Sequence, residues 1–441
     1  MPHQDHGRSA PAIGPALDWL VSAESFGAYS LRRDSRFTPA GLVKLVFLWA
    51  WGEQAALTDR FARAQEVIVT RPGDQQRSIT YQAFVKLLRR HSASLLYAVV
   101  TSLQASLRES LADSYRVAGF LVFGVDGTRI GVPRTKANEE AFSATPRPKR
   151  RRGRRRRADL KKATTPRVWL TTLWHVGTGL PWGWRTGPSD SSERGHLIEL
   201  LAWLPEGSLL TADAGFAGYD LCAELIAAGH DFVLRVGSNT RLLKKLGCVR
   251  EYDNRVYLWP GRAVRGSQPP IVLRLVVSHD GKQPVYLVTT VLAKRRLSDA
   301  RLIELYRKRW GVELFYRGFK RTFARHKLRS ASPRNAVVEL DWSMAALWAA
   351  CLYAKVQQGE QLTRTSVAGV LRVIRHAMRG PALSLPDDLA QALVDPYQRP
   401  NKASRDYPTQ KTDYRPPSPP IIRVASPRIS RLAKLLKGFT A

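Results

Sequence analysis

One stretch limits the possible folds more than any other. Phe120-Leu121-Val122-Phe123-Gly124-Val125 is an unbroken apolar run that ends on Asp126-Gly127. A strand with one wet face alternates apolar and polar residues, so a continuous run implies a strand covered on both sides, within a sheet flanked by helices. The residues that follow keep to that plan. Val168 to His175 and Leu180 to Arg185 read as strands about a glycine-containing turn, Glu193 to Trp203 as a helix, and Ser208 to Ala212 as a strand ending on Asp213. A helix from Gly218 to Ala228 stops at Gly229, a suitable left-handed residue, and Asp231 to Val236 reads as a further strand. This alternation predicts an α/β mixed-sheet domain over residues 116–325.

The flanks have other patterns. Residues 1–115 read as all-helical: Thr38-Pro39 is a cap followed by proline in the first turn, and helical candidates run from Leu57 to Val69, Tyr81 to Arg90 and Ser92 to Leu111. Residues 246–292 read as a β-rich insertion, with strands at Val256 to Trp259, Ile271 to Ser278 and Val285 to Val291. The last two are separated by His279-Asp280-Gly281-Lys282, a hairpin signal. Ser298 or Asp299 caps a long helix reaching about Phe323, and Val337 to Gln357 reads as an apolar helix in a C-terminal helical region, 326–395, suited to dimerisation. The tail, 396–441, is basic and proline-rich and reads as extended, apart from an amphipathic piece near Leu432 to Leu436.

Charge narrows the function. Lys and Arg number 70 against 36 Asp and Glu, a net +34, while 44% hydrophobic residues are ample for a folded core. Such an excess in a folded chain favours a polyanionic partner, nucleic acid first. Part of it lies in a basic loop, 136–165, where residues 147–157 hold nine basic residues in eleven, among them Arg150, Arg151, Arg152, Arg154 and Arg155. These arginines either grip DNA or form a solvated charge run; the helix face of Lys86, Arg89, Arg90 and His91 has the same two readings. Three cysteines without CxxC spacing exclude a disulfide framework and a zinc knuckle. The N-terminus lacks a secretory pattern, which points to a reducing cytosol or nucleus. The longest apolar stretch, Asp341 to Ala354, is too short for a membrane span of about 18 residues.

The densest chemistry lies between Tyr306 and Lys320. On a regular helix Tyr306, Arg309, Glu313 and Lys320 fall within about 60° of one another, a stripe of one phenol, one carboxylate and two cations. Ile303, Trp310 and Leu314 border it, so this helix is expected to be largely buried with its stripe opening into a cleft. Taken singly, Glu313 reads as an ordinary salt bridge, Asp126-Gly127 as a turn and Asp213 as a strand-end or cap residue. Glu193-x-x-His196 has a spacing seen in some metal-binding helices, but lacking partner helices it reads as a structural helix start. Together, carboxylates at two strand ends and one on a helix could converge on Mg²⁺ or Mn²⁺, hard ions that prefer oxygen ligands and serve phosphoryl transfer.

These residues resemble a known family. Asp126-Gly127-Thr128, Asp213-Ala214-Gly215-Phe216 and Tyr306-x2-Arg309-x3-Glu313-x6-Lys320 look like the three motifs of DDE transposases, specifically insertion-sequence family four with its Tyr-Arg-Glu-Lys signature. The resemblance spans about residues 117–325 and implies a ribonuclease H-like core with a β-rich insertion, a helical DNA-end-binding domain at 1–115 and C-terminal helices. It also implies two Mg²⁺ ions, replaceable by Mn²⁺, on Asp126, Asp213 and Glu313. Tyr306, Arg309 and Lys320 would hold phosphates, and Trp259, the candidate aromatic of the insertion, would stack on a flipped base or else be core.

The function so implied is bacterial DNA transposition: element ends are bound and cleaved hydrolytically, and the 3′-hydroxyls are joined to target DNA by transesterification, with a hairpin intermediate and a homodimer. A silent, domesticated DNA-binding descendant and a metal-dependent nuclease are the alternatives. If the basic loop and the tail beyond Arg399 contact phosphates, deleting them will weaken binding to all duplexes alike and flatten the slope of log K against log salt, measured by fluorescence anisotropy.

Overall fold

The computed structural model describes residues 13–27, 29–31, 37–69, 79–144, 165–247, 252, 254–279, 284–359, 366–380 and 418–436. Strands β1 (Val122–Gly131), β2 (Arg167–His175) and β3 (Leu180–Gly187) form an antiparallel meander. On the other side of β1, β4 (Leu209–Ala212) pairs parallel to it and β5 (Asp231–Val236) parallel to β4. The order β3-β2-β1-β4-β5 with these directions is a ribonuclease H-like core. Val122, Phe123 and Val125 are fully buried, as their unbroken apolar run requires. The strand does not end at Asp126, however. It continues to Gly131, paired with β2 from Phe123 on, while its pairing with β4 ends at Gly124.

The β-rich insertion extends this sheet. β6 (Arg241–Lys244), β7 (Arg255–Leu258), β8 (Ile271–Ser278) and β9 (Val285–Thr289) join through an antiparallel β9–β5 pair, and β10 (Ile421–Val424) adds parallel to β6 at the far edge of ten strands. The β8–β9 pairing agrees with the hairpin expected there, although residues 280–283 of the turn lie outside the described residues. The end of the tail is not wholly extended coil. Ile421 and Ile422 carry enough β propensity to complete the sheet edge.

Around the sheet lie α1 (Ile13–Leu20), α2 (Pro39–Trp51), α3 (Leu57–Val69), α4 (Tyr81–Ser110), α5 (Ala112–Tyr115), α6 (Lys136–Phe142), α7 (Glu193–Leu200), α8 (Tyr219–Ala227) and α9 (Gly261–Arg265). Then come α10 (Asp299–Lys308), α11 (Gly311–Arg317), α12 (Pro333–Gln358), α13 (Val367–Ala377) and α14 (Pro427–Leu435). The Thr38 hydroxyl caps α2 by accepting from Gly41 N at 3.0 Å. Two helices expected between Tyr81 and Leu111 are one, since nothing between Arg90 and Ser92 breaks a helix. By length and composition α12 could cross a membrane, but its apolar window is 89% buried in the protein, as in a core helix. The helix is longer than the apolar run read from sequence because Pro333 starts it early.

Helix α12 packs the region after the core against the N-terminal helices. It packs on α2 and α4, and the Trp51 indole N–H donates to Ala346 O at 2.8 Å. Arg325, 2% exposed, donates to Ala50 O at 2.6 Å, Phe323 O at 2.9 Å and Ser343 Oγ at 3.1 Å. Burial lowers its pKa to about 9, so the three acceptors are what keep a charged group there. Arg325→Met would leave the Ala50 and Phe323 carbonyls without this donor, and urea denaturation is expected to report a loss of about 3 kcal/mol.

Candidate active site

The register of the central strands sets the first two carboxylates side by side. β1 and β4 run parallel with Val122 opposite Leu209 and Gly124 opposite Thr211. Two residues beyond the last pair stand Asp126, still on β1, and Asp213, just past the end of β4. Beyond β4 the chain turns at once: Gly215 N donates to Asp213 Oδ1 at 2.8 Å and Phe216 N to Asp213 O at 3.1 Å. The Asp126 carboxylate accepts from Gly127 N at 2.9 Å.

Glu313 arrives on α11. Its carrier differs from the single long helix expected from Ser298: α10 ends at Lys308, a turn at Arg309 and Trp310 separates it from α11, and Gly318–Thr322 is a π-turn. One flank is exposed. Trp310 is 56% and Leu314 42% exposed, where both were expected to pack. The other flank is anchored. Trp174 of β2 lies against Phe315 with ring centroids 5.2 Å apart, and the Tyr316 hydroxyl donates to Asp126 O at 2.8 Å, tying α11 to the strand beside Asp126.

Arg309, only 7% exposed, sits over the sheet where Gly124 has no side chain; a Cβ there would lie 3.2 Å from Arg309 Cγ. It donates to Glu313 Oε1 at 3.0 Å and acts electrostatically on Asp126. Tyr306 is half-buried with Arg309 Cζ 5.6 Å from its ring, and Lys320 donates to Thr128 Oγ1 on β1. The four signature residues and both aspartates are therefore brought into one region.

Two expectations are corrected or fall outside. Trp259 is 5% exposed and its indole N–H donates to Gln268 O at 2.8 Å, so it is a core residue of the insertion and presents no face to a base. Arg150, Arg151, Arg152, Arg154 and Arg155 lie outside the described residues.

The site is strongly electrostatic. Burial raises the Asp126 pKa to about 6, against the pull of Arg309 and the Gly127 N–H, with Glu313 and Asp213 pushing it further up. Glu313 is also raised by burial, opposed by Arg309. A third raised carboxylate was not anticipated. Glu193, at the start of α7, is pushed to about 7 by burial and then by Asp126 and Asp213. Its helical spacing to His196 suggested only structure, and His196 is indeed taken up by Thr171 Oγ1 at 2.9 Å. No sequence signal marks Glu193, because only the sheet brings it near the aspartates.

Oxygen donors of this kind suit a hard divalent cation. Among the described residues, no three His, Cys, Asp or Glu side chains yet stand close enough to enclose one. The guanidinium of Arg309 is the cation seated beside them, a stand-in for the positive charge this donor set attracts.

Residues 119–349, more than half of the chain, match the family model described as a transposase DDE domain. The chain belongs to that family. A transposase InsG for insertion sequence element IS4 of Escherichia coli (strain K12) is 24% identical over 258 residues, covering 55% of this chain and 54% of that one. This transposase-family chain thus spans about half the length of the curated relative it matches. It is also similar, with TM-score 0.41 and 11% identity over 89% of this chain and 87% of the other, to the piggyBac transposase in a cryo-EM synaptic complex with hairpin DNA.

The raised carboxyl at Asp126 has a sign that can be checked. A folded pKa near 6, above the unfolded value, makes its charge unfavourable to folding above pH 6, and the penalty is relieved as pH falls toward 4. In chelator, Asp126→Asn is expected to stabilise the protein by about 1 kcal/mol at pH 8 and by nothing at pH 4, read by denaturant titration at both.

Proposed function

We propose that this protein is a DNA transposase whose reaction centre is Asp126, Asp213 and Glu313. The observation that carries the reading is the level placement of the two aspartates, on β1 and just past β4, with Glu313 tethered to the same point through Tyr316. Three carboxylates from three elements, set among cations on a strongly basic protein, suit phosphoryl transfer on DNA better than a solitary ion pair would. Asp126, Asp213 and Glu313 would hold divalent ions, which would supply an activated water and neutralise charge on the leaving oxygen.

The chain's own groups do the rest. Arg309 and Lys320, freed from Glu313 and Thr128 by competing phosphate oxygens, hold the backbone on either side of the cut bond, and the Tyr306 hydroxyl supplies a further donor. Asp213 is kept facing the site by its hydrogen bond from Gly215 N. Water first cuts at the element end. The exposed 3′-hydroxyl, held in the same place, then attacks a target phosphate, so both steps are phosphoryl transfers and no covalent protein–DNA bond forms. Residues 1–115 would read the element end and a homodimer would hold two ends, acting on the chromosome in a bacterial cytoplasm.

The test separates holding DNA from cutting it. Glu313→Gln keeps size and hydrogen-bonding capacity but removes charge. Gel shift of the duplex from the inverted repeat flanking the coding DNA, in Ca²⁺, should stay as in the wild type, while nicking in Mg²⁺ falls by about 10³-fold or more. Arg309→Ala should weaken both, by about 1–3 kcal/mol in binding. Nicking at the normal rate by Glu313→Gln would remove this helix from the reaction centre; intact binding with no nicking by the wild type would favour a silent DNA-binding descendant.

A further inference from the structure

We propose that Arg235, on β5, is a phosphate-holding residue of the DNA site, gripping the backbone on the β5 side of Arg309. The proposal rests on the reading of Asp126, Asp213 and Glu313 given above. It adds a residue that lies outside all three signature motifs.

The sheet register places Arg235. Gly124 on β1 stands opposite Thr211 on β4, and Thr211 opposite Val233 on β5. Opposed residues of parallel strands point the same way, and alternate residues of one strand share a face. Gly124 and Thr211 face Arg309, since a Cβ at Gly124 would lie 3.2 Å from Arg309 Cγ and 3.6 Å from Thr211 Oγ1. Two residues on, Asp126 and Arg235 therefore face that same side, with the turn of Asp213 between their strands. They are rooted two strand spacings apart, about 10 Å. Lys320 is bonded to Thr128, further along β1. The two cations thus lie beyond different carboxylates, Arg235 beyond Asp213 and Lys320 beyond Asp126.

The surroundings of Arg235 suit a ligand. The residues beside it on that face, Val233 on the same strand and Leu287 opposite on β9, are fully buried and apolar. Arg235 itself is half-buried, and among the described residues it has no hydrogen-bond or ion-pair partner. Asp213, past the end of the neighbouring strand, has its Oδ1 taken by Gly215 N. The charge of Arg235 is nevertheless felt in the site: burial raises the Tyr306 pKa, and Arg309 and then Arg235 oppose that rise. A cation set among apolar neighbours costs stability unless an acceptor meets it. A phosphate offers two oxygens to a guanidinium fork, and the donors of Arg235 are open to one.

The test pairs one side chain with one phosphate. The full chain is titrated by gel shift in Ca²⁺ with the inverted-repeat duplex, and with duplexes in which a neutral methylphosphonate replaces one phosphate at a time around the nick mapped for the wild type. Arg235→Ala should weaken binding of the native duplex about 10-fold, and Arg235→Lys should recover part of it. Arg235→Gln, which keeps part of the stem, should match Arg235→Ala, with circular dichroism confirming the wild-type fold of the variant used. One methylphosphonate should weaken the wild type by a similar factor. On that duplex Arg235→Ala should lose nothing further, because the two changes remove one contact. Lys320→Ala should cancel in the same way against a methylphosphonate at a different position. Equal affinity of Arg235→Gln and the wild type for the native duplex, with Arg309→Ala impaired, would overturn this inference and leave the three-carboxylate reading intact. A loss that persists on every methylphosphonate duplex would overturn it as a general charge effect. No binding of the native duplex by the wild type would overturn both readings.

Discussion

The parallel pairing of β1 with β4 puts two carboxylates at one level, and the rest of the site is assembled outward from them. A parallel neighbour cannot be reached by a tight turn, so β2, β3 and α7 must intervene between Asp126 and Asp213. Helix α7 covers one face of the sheet and α11 covers the other, which makes β1 a buried strand. The excursion also leaves the ends of β1 and β4 as the place where polar side chains can meet without entering the core. Tyr316 then uses the backbone carbonyl of Asp126 itself as the anchor for α11. The third carboxylate is thereby referenced to the first, with little slack between them.

Like charges gathered in this way oppose folding. Asp126, Glu193 and Glu313 all bind protons more tightly than free carboxylates, with burial the largest cause in each. Arg309 relieves part of the repulsion from within the cluster. On the proposed reading the same guanidinium would meet a phosphate, so the interaction that steadies the free protein would be one that DNA displaces. Stability of the remainder is built elsewhere, in α12 with its buried tryptophans and in the Arg325 contacts that fasten α2 to it.

Much of this was legible in the residue pattern. The continuous run before Asp126, the Asp-Gly hairpin signal and the Thr38-Pro39 cap are local, and local chemistry decided each of them. The signature helix was legible in composition but not in shape. A projection at a constant 100° per residue cannot include the turn at Arg309 and Trp310 or the π-turn at Lys320. Trp310 therefore lies outside, where regular periodicity put it inside. Trp259 shows the reverse: an aromatic in a β-rich insertion has no local mark of burial, and its bond to Gln268 O is made by the folded chain alone.

What the sequence by itself determined was the class of fold, the order of its elements, the basic character suited to a polyanion, and the six side chains proposed for the site. Spacing and residue type suffice for these because strand burial, helix caps and charge act over a few residues. Only the tertiary structure decided that the insertion extends the central sheet, that α12 shares one helical layer with α2 and α4, and that Glu193 stands near the aspartates. Those depend on the pairing of β9 with β5, the packing of α12 on α2 and α4, and the gap left by one glycine on β1. Such contacts join residues tens to hundreds of positions apart, and no local preference encodes their meeting.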